Sequence, residues 1–238
     1  MEIQIAAAKV NKYAVSESGD TLEAVERPNG GLSVVLADGQ SSGRGAKAVS
    51  IMVVRKVISL LAEGVRDGAA ARAASDALYT EKGGKVSSTL NIASLDMHTK
   101  SIVLTRNNPA PVLVVNHKDV KPLEGESKPI GTMRNSRPLI DELPIKAGLT
   151  IVFYTDGLVY AGDRRGTRMD AQAVLSEMLQ DKDKSAQAIA DAMLERAVSL
   201  DDGRPADDCS VVVLQVIPLT GDNVRRMNVR LPITLGKF

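Results

Sequence analysis

Strand-like segments occupy both ends and the middle of this 238-residue chain, and helical patterns occupy two separate blocks. Runs rich in Val, Ile and Thr between turn residues predict strands, near residues 2–8, 21–27, 32–37, 86–96, 101–106, 111–116, 149–155 and 209–217. Apolar residues three and four positions apart predict helices, from Ala46 to Leu61, over 67–79 and from Ala186 to Ala197. Because few strand–helix–strand units occur, the order predicts an α+β fold. We expect two packed, mainly antiparallel β-sheets flanked by helix pairs, an α-β-β-α sandwich.

The sequence indicates one domain over residues 1–238. Hydrophobic residues make up 44% of the chain, which is enough to bury a substantial core. The stretch nearest to a linker is 118–138, rich in Pro, Gly and charge, and we interpret it as a surface excursion within the domain. Residues 219–238 form a C-terminal extension, and Val229 to Ile233 within it is strand-like.

Composition excludes several classes of partner. The formal net charge is +1 and only 3% of residues are aromatic, so neither a basic field nor stacking platforms favour nucleic acid. The start of the chain lacks the pattern of a signal peptide, and no apolar run approaches a membrane span of roughly 18 residues. A single cysteine, Cys209, rules out an internal disulfide and suits a reducing compartment. We therefore expect a cytoplasmic protein with no membrane partner.

Four acidic residues lie at the ends of predicted strands. Asp38 and Asp156 follow apolar runs, whereas Asp20 and Asp207 precede them. Each one alone is most simply explained as turn chemistry, because Asp often starts a turn and Gly often follows it. Four together, at adjacent strand ends, would converge on one rim of a sheet. Crowded carboxylates repel one another unless cations neutralise them.

Hard divalent ions are the cations that such an oxygen-only set favours. Two metals about 3.5–4 Å apart would suit hydrolysis by a bound water. The two histidines, His98 and His117, lie near predicted turns without a partner motif, which disfavours a histidine-rich zinc site. The residues therefore predict Mg²⁺ or Mn²⁺, with two ions in the site.

Six segments, in this order and spacing, resemble the type-2C metal-dependent serine/threonine protein phosphatases. They are "SGDT", "VVLADGQSSGRGAKAVS", "VSSTLNIASLD", "KPIGT", "IVFYTDGLVYAG" and "DDCSVVVLQV". The resemblance is nearest to the bacterial branch of stage II sporulation protein E and the sigma-factor-regulator phosphatases. It runs from about residue 15 to 217. Each segment alone is a weak signal, and the ordered set is a strong one.

The resemblance implies a role for each matching residue. The first acidic motif falls on Asp20, and the two Asp-Gly motifs fall on residues 38–39 and 156–157. The implied metal ligands are Asp20, Asp38, the carbonyl of Gly39, Asp156 and Asp207. Asp38 would bridge both metals, and Asp38 with Asp156 would carry the catalysis. The implied supporting residues are Asp208, Gly157 and Thr89, although a half-buried strand threonine is the simpler explanation for Thr89.

The sequence departs from the family at two places. The branch follows its first Asp-Gly with Met-Gly-x-Gly, whereas this chain has Gln40, Ser41 and Ser42 before Gly43. Many members also hold the substrate phosphate with an Arg near the first motif, and only Lys12 and Arg44 lie in that neighbourhood. Absence of that Arg is usual in the bacterial branch.

The implied function is hydrolysis of phosphoserine or phosphothreonine in proteins by a water that two metals activate. One candidate substrate is an anti-sigma-factor antagonist, and a separate protein is a candidate regulator. The resemblance also implies that the helices after the metal loop, over 43–80, switch the site. Two alternatives stay open: a catalytically silent relative that acts as a binding module, and a phosphatase of a small phosphorylated metabolite.

Overall fold

A computed structural model describes residues 1–116, 119–180 and 184–232 of the chain. Its strands are β1 (Glu2–Val10), β2 (Asp20–Glu26), β3 (Leu32–Gly39), β4 (Ser88–Asp96), β5 (Ser101–Asn107), β6 (Leu113–Asn116), β7 (Asp119–Pro122), β8 (Leu139–Pro144), β9 (Leu149–Tyr154) and β10 (Cys209–Ile217). Its helices are α1 (Gly43–Ala62), α2 (Asp67–Lys82), α3 (Asp156–Val159), α4 (Ala171–Met178) and α5 (Ala186–Leu200), with a 3₁₀ turn at Asp163–Arg165.

The strands form two five-stranded sheets. Sheet A has the order β1-β10-β9-β6-β7, and sheet B has the order β2-β3-β4-β5-β8. Every strand pairing in the described ranges is antiparallel. One apolar core lies between the sheets and includes Leu36, Ile102 and Phe153. Burying one face of each sheet against the other leaves the two outer faces for helices.

The helices cover those outer faces as two pairs. Helices α1 and α2 pack on sheet B, where Val53, Val57 and Leu61 of α1 are buried. On the other side, α4 and α5 pack on sheet A, where Ile189 and Met193 of α5 are buried. The helical spacing of these apolar residues is what lets each helix bury one stripe. The predicted α+β sandwich of two antiparallel sheets with helix pairs outside is confirmed.

The structure corrects the prediction for parts of the chain. It adds two strands, β7 and β8, and two short helices, α3 and α4. The predicted strand over 229–233 is wrong where the structure describes it, because residues 229–232 form no strand. Val229 and Leu231 are 85% and 80% exposed, so no sheet among the described residues buries these alternating apolar side chains. Ile233 lies outside the described residues, as do His117 and Lys118.

The surface excursion predicted for 118–138 contains strand β7 and a bridge between Ile130 and Ser88. Ile130 is fully buried and belongs to the core under α1 and α2. This segment is therefore bonded to the fold at its start, through β7, and in its middle, at Ile130. None of the helices in the described ranges is long and apolar enough to cross a membrane.

Candidate active site

Sheet B places two of the four acids opposite each other. The antiparallel register of β2 and β3 pairs Asp20 with Asp38, and the next strand pairs Thr89 with Asp38. Asp20 is fully buried, whereas Asp38 is partly exposed. Strand β3 therefore ends on a carboxylate that lies between a second carboxylate and a threonine.

Sheet A brings the other acids to the same edge. Strand β9 leads through Thr155 into α3, which begins at Asp156, while Asp207 and Asp208 directly precede β10. The backbone N–H of Thr155 donates to the carbonyl of Ser210 at 3.0 Å, so the end of β9 lies beside the start of β10. The residues that flank the two strands therefore share one rim.

Hydroxyl groups of sheet A hold the deepest acid of sheet B. The Oδ2 atom of Asp20 accepts hydrogen bonds from Ser210 Oγ at 2.6 Å and from Thr155 Oγ1 at 3.0 Å. Thr155 was not predicted from the sequence, although it directly precedes Asp156, and Ser210 was noted only as part of its motif. These two bonds join the sheets at the acid cluster.

The electrostatics of the cluster are those of crowded carboxylates. Burial raises the pKa of Asp38, and the nearby charges of Asp20, Asp156 and Asp207 raise it further. Burial also raises the pKa of Asp156, and the charge of Asp207 adds to this effect. The pKa of Asp20 is raised by burial, against the hydrogen bond from Ser210, which lowers it. The four carboxylates therefore interact, and the site favours protons or cations.

The residues present fit a hard divalent metal. The Oδ1 atom of Asp20 is buried and has no hydrogen-bond partner among the described residues, so it is a potential oxygen ligand that the protein leaves unsatisfied. All four candidate side chains offer oxygen atoms, which suits Mg²⁺ or Mn²⁺. Within the described ranges, no three acidic, histidine or cysteine side chains converge as a finished coordination shell. The fit to a metal therefore rests on the oxygen chemistry of these side chains and on the unsatisfied atom of Asp20.

Two glycines allow the close contacts on which the site is built. A Cβ atom on Gly39 would lie 2.1 Å from the carbonyl oxygen of Ala46 in α1. A Cβ atom on Gly157 would lie 2.1 Å from the carbonyl oxygen of Asp208. Real Cβ atoms do not approach so closely, so larger residues would push α1 away from β3 and α3 away from β10.

The two adjacent acids before β10 have different surroundings. Both oxygens of Asp208 accept backbone hydrogen bonds, from Lys12 N at 2.9 Å and from Gly19 N at 2.7 Å. Asp208 is buried, whereas the side chain of Asp207 is 46% exposed and lies 3.8 Å from Lys12 Nζ. Asp208 thus holds the loop between β1 and β2, whereas Asp207 accepts from Asp208 N at 3.0 Å through Oδ1 and its charge acts on Asp38 and Asp156.

Two lysines that the sequence did not single out also reach the cluster. Lys9 Nζ of β1 and Lys47 Nζ of α1 both donate to the carbonyl oxygen of Asp20, at 2.6 and 2.7 Å. Lys47 also donates to Thr21 Oγ1 at 2.9 Å. No sequence signal could have found this pair, because the bonds join residues that are distant in sequence to a backbone atom.

The loop after Asp38 keeps an unusual backbone without the expected glycine. Ser41 has a φ of 79°, a conformation that glycine adopts most easily. The side-chain oxygen of Gln40 accepts from Ser87 N at 2.9 Å, which holds this strained loop beside β4. Arg44 is directed elsewhere, since its side chain is 87% exposed and pairs with Glu17 at 3.5 Å.

Solved structures with the same fold include several phosphatases. The PP2C phosphatase domain of Bacillus subtilis SpoIIE with a fragment of its regulatory domain has a TM-score of 0.78 and 20% identity, over 91% of this chain and 64% of that chain. RsbX in complex with magnesium has a TM-score of 0.67 and 16% identity, over 90% and 95%. The catalytic domain of PstP with two manganese ions has a TM-score of 0.67 and 16% identity, over 91% and 99%.

The chain thus spans less than two thirds of the SpoIIE structure it matches. Among curated proteins, none matches the sequence significantly. The family model described as stage II sporulation protein E (SpoIIE) matches residues 28–217, which is well over half of the chain. This match confirms the predicted family. The chain belongs to the stage II sporulation protein E (SpoIIE) family, whose domain has the type-2C phosphatase fold.

Proposed function

We propose that this protein is a metal-dependent serine/threonine phosphoprotein phosphatase. The observation that carries the proposal is that Asp20, Asp156 and Asp207, which come from both sheets, lie near enough to Asp38 to raise its pKa, and that the buried Oδ1 atom of Asp20 has no hydrogen-bond partner among the described residues. Family membership supports the class of reaction, and the relatives solved with magnesium or with two manganese ions support the cofactor.

We assign the metal ligands as the sequence predicts them. They are Asp20, Asp38, the carbonyl of Gly39, Asp156 and Asp207, with Asp38 assigned to both ions. When bound, two Mg²⁺ or Mn²⁺ ions would supply an activated water and would offset the charge that develops on the phosphoryl group.

The remaining residues act on these ligands. Thr155 and Ser210 orient Asp20 through its Oδ2 atom, and Oδ1 has no hydrogen-bond partner among the described residues. Asp208 holds the backbone of Lys12 and Gly19, so it fixes the loop that leads into Asp20. Gly157 lets α3 start directly against Asp208, which places Asp156 beside Asp207. Thr89 lies opposite Asp38 in the sheet, and we assign it a supporting role.

The proposed substrate is a phosphorylated protein, and an anti-sigma-factor antagonist is the candidate that the family branch suggests. A separate regulatory protein acting on α1 and α2 and a cytoplasmic location belong to the same proposal. The single cysteine is buried, which suits a reducing compartment.

The test compares substrates and metals in one preparation. The protein is stripped of metal with a chelator and assayed on p-nitrophenyl phosphate, a phosphoserine peptide and a panel of phosphorylated metabolites, with and without Mn²⁺ or Mg²⁺. We expect metal-dependent release of phosphate from the peptide. Absence of turnover with every metal would make the chain a silent binding module. A preference for one metabolite over the peptide would make it a metabolite phosphatase.

The variant Asp38→Asn serves as the control for contaminating phosphatases. The substitution keeps the size of the side chain and removes the negative charge of the residue that we assign as a ligand of both ions. Activity that persists in this variant at the level of the unchanged protein would come from another protein or from another site.

A further inference from the structure

Two exposed arginine–tyrosine stacks flank the acid cluster. The guanidinium of Arg168 lies 4.5 Å from the ring centroid of Tyr160, and that of Arg204 lies 5.3 Å from Tyr13. Tyr160 and Tyr13 are 50% and 56% exposed, so neither ring is part of a core. Together with Arg164, these four residues form what we call the rim surface.

The rim surface is joined to the acids on both sides through short stretches of backbone. Tyr160 ends α3, and its N–H donates to the carbonyl of Asp156 at 2.9 Å. Tyr13 N donates to the carbonyl of Pro205 at 2.9 Å, two residues before Asp207. Each stack therefore lies within a turn or a short loop of one of the assigned ligands.

Asp201 and its neighbour hold the two halves of the rim surface together. Asp201 is buried, its Oδ1 atom accepts from Gly162 N at 3.0 Å and its Oδ2 atom accepts from Ala206 N at 2.9 Å. Asp202 forms an ion pair with Arg165. The loop after α3 and the loop before β10 are thus fixed to each other, so the rim surface is built in advance of any partner.

The rim surface carries positive charge, and part of this charge has no acidic partner among the described residues. Residues 163–168 are exposed and contain three arginines and one aspartate. Asp202 compensates Arg165, whereas Arg164 has no hydrogen bond or ion pair with any residue in the described ranges. Arg168 donates one hydrogen bond to a described residue, from Nε to the carbonyl of Val159 at 3.0 Å. A guanidinium that lies on an aromatic ring keeps its N–H edge available for a carboxylate.

We propose that the rim surface docks acidic side chains next to the phosphorylated residue of a protein substrate. The inference rests on the proposed function and specifies the class of substrate. Positive groups around the mouth of the site attract the carboxylates of an acidic phosphopeptide and steer such a substrate toward the site. The net charge of the whole protein is only +1, so the attraction is local to this rim.

The test uses charge reversal at two rim positions and a matched control. Arg164→Glu combined with Arg168→Glu changes the rim, and Lys146→Glu reverses an exposed charge in the turn between β8 and β9, away from the assigned site residues. Three substrates are compared: a phosphoserine peptide with acidic flanks, the same peptide with neutral flanks, and p-nitrophenyl phosphate. The single variant Arg164→Glu, at a side chain with no hydrogen bond or ion pair among the described residues, guards against misfolding of the double variant.

We expect kcat/KM for the acidic peptide to fall by about tenfold in the rim variant and to lose most of its salt dependence. The neutral peptide and p-nitrophenyl phosphate stay within about twofold of the unchanged protein, as do all substrates with Lys146→Glu. Equal losses on acidic and neutral peptides, or no loss on either, would overturn the docking role.

Binding separates failure of this inference from failure of the proposed function. A fluorescent acidic phosphopeptide is titrated into the unchanged protein and the rim variant, and anisotropy is measured. Weaker binding by the rim variant supports docking even if no preparation hydrolyses phosphate. Equal affinities would refute docking even if every preparation is active.

Discussion

The two sheets contribute their acids to the site in different ways. Sheet B supplies Asp20 and Asp38 from directly paired strands, and Asp20 is fully buried. Sheet A supplies Asp156 from the first residue of a short helix and Asp207 from a loop, and the Asp207 side chain is 46% exposed. The sheet B acids are therefore the deeper and less hydrated pair.

The contacts that fix the two pairs also differ. On the sheet B side, Gly39 lies against Ala46 of α1, and Lys47 of α1 donates to the carbonyl of Asp20. On the sheet A side, Asp208 is held by backbone N–H groups of the β1–β2 loop. A displacement of α1 would therefore act on Asp20 and Asp38 first. We therefore expect that a regulator acting on α1 would change metal affinity through the sheet B acids. The contacts on the sheet A side would give structural support.

Removing the central charge of sheet B gives the largest expected effect. In Asp38→Asn, turnover falls by more than about a hundredfold, because loss of an outer partner of a metal ligand alone costs about 10–100-fold. The fold is retained, since the amide has nearly the same size. Turnover is measured at saturating Mn²⁺, with circular dichroism as the folding control. Turnover close to that of the unchanged protein would remove Asp38 from the proposed metal centre.

The same variant tests the electrostatic part of the comparison without metal. The pKa of Asp38 is raised in the folded protein, so the folded state holds a proton that the unfolded state releases above pH of about 4. Stability of the metal-free protein therefore falls as the pH rises above this value. In Asp38→Asn the fall is shallower, and the metal-free melting temperature at pH 7 is higher. Thermal melts across pH measure this, and identical pH profiles would contradict it.

The adjacent acids of sheet A should separate metal binding from support. Asp207→Asn weakens Mn²⁺ binding by more than about tenfold. It leaves metal-free stability nearly unchanged, because the amide oxygen can still accept the bond from Asp208 N. Asp208→Asn lowers the stability of the metal-free protein and leaves Mn²⁺ binding nearly unchanged. Its amide can accept one of the two backbone N–H groups but turns an NH₂ toward the other, at a cost of about 1–3 kcal/mol.

For both variants, calorimetric titration with Mn²⁺ measures metal affinity, and urea unfolding measures stability. If Asp208→Asn loses metal affinity and Asp207→Asn loses stability, the assignment at this motif is shifted by one residue. If each variant loses both properties, the two acids act as one unit and the contrast between ligand and support is wrong.

The sequence predicted the fold more completely than the details of the site. Apolar patterns identified the long paired strands and both helix pairs, because burial imposes those patterns. They did not identify β7 and β8, which are short and partly exposed. They also predicted a strand from Val229 to Ile233, of which the described residues 229–232 pair with no strand. Apolar residues at every second position show which face a strand could bury, whereas pairing with a neighbouring strand decides whether it forms.

The assigned acids could be named from sequence because strand ends and family motifs mark them. Their roles as ligands stay predictions. The bonds from Thr155, Lys9 and Lys47 could not be named, because they depend on how two sheets and a helix meet. Nor could the rim surface, since its stacks join residues from the N-terminal loop and from the loops beside α3 and β10.

A pair of glycine substitutions tests whether α1 and sheet B move together. In Gly39→Ala the new Cβ would lie 2.1 Å from the Ala46 carbonyl, so the contact between β3 and α1 must open. We expect Mn²⁺ affinity to fall by about tenfold, as for loss of an outer partner. Gly45→Ala is the control, because nothing lies within 4 Å of its Cβ position and alanine favours the helix. Unchanged affinity in Gly39→Ala would break the proposed coupling.

The smallest effect is expected at the cysteine that starts β10. Cys209 is 1% exposed, and burial together with the charges of nearby acids raises the pKa of its thiol. The thiolate is therefore scarce at neutral pH, and alkylating reagents should neither modify the folded protein nor change its turnover. Consecutive side chains of a strand point to opposite faces, so its neighbour Ser210 is the matched contrast. Ser210→Ala removes the 2.6 Å bond to Asp20 and should lower turnover by about tenfold, whereas Cys209→Ser should leave it within about twofold. Mass spectrometry after alkylation and steady-state kinetics measure both. Loss of activity in a folded Cys209→Ser protein would show that the thiol takes part in the reaction and would contradict the oxygen-only site.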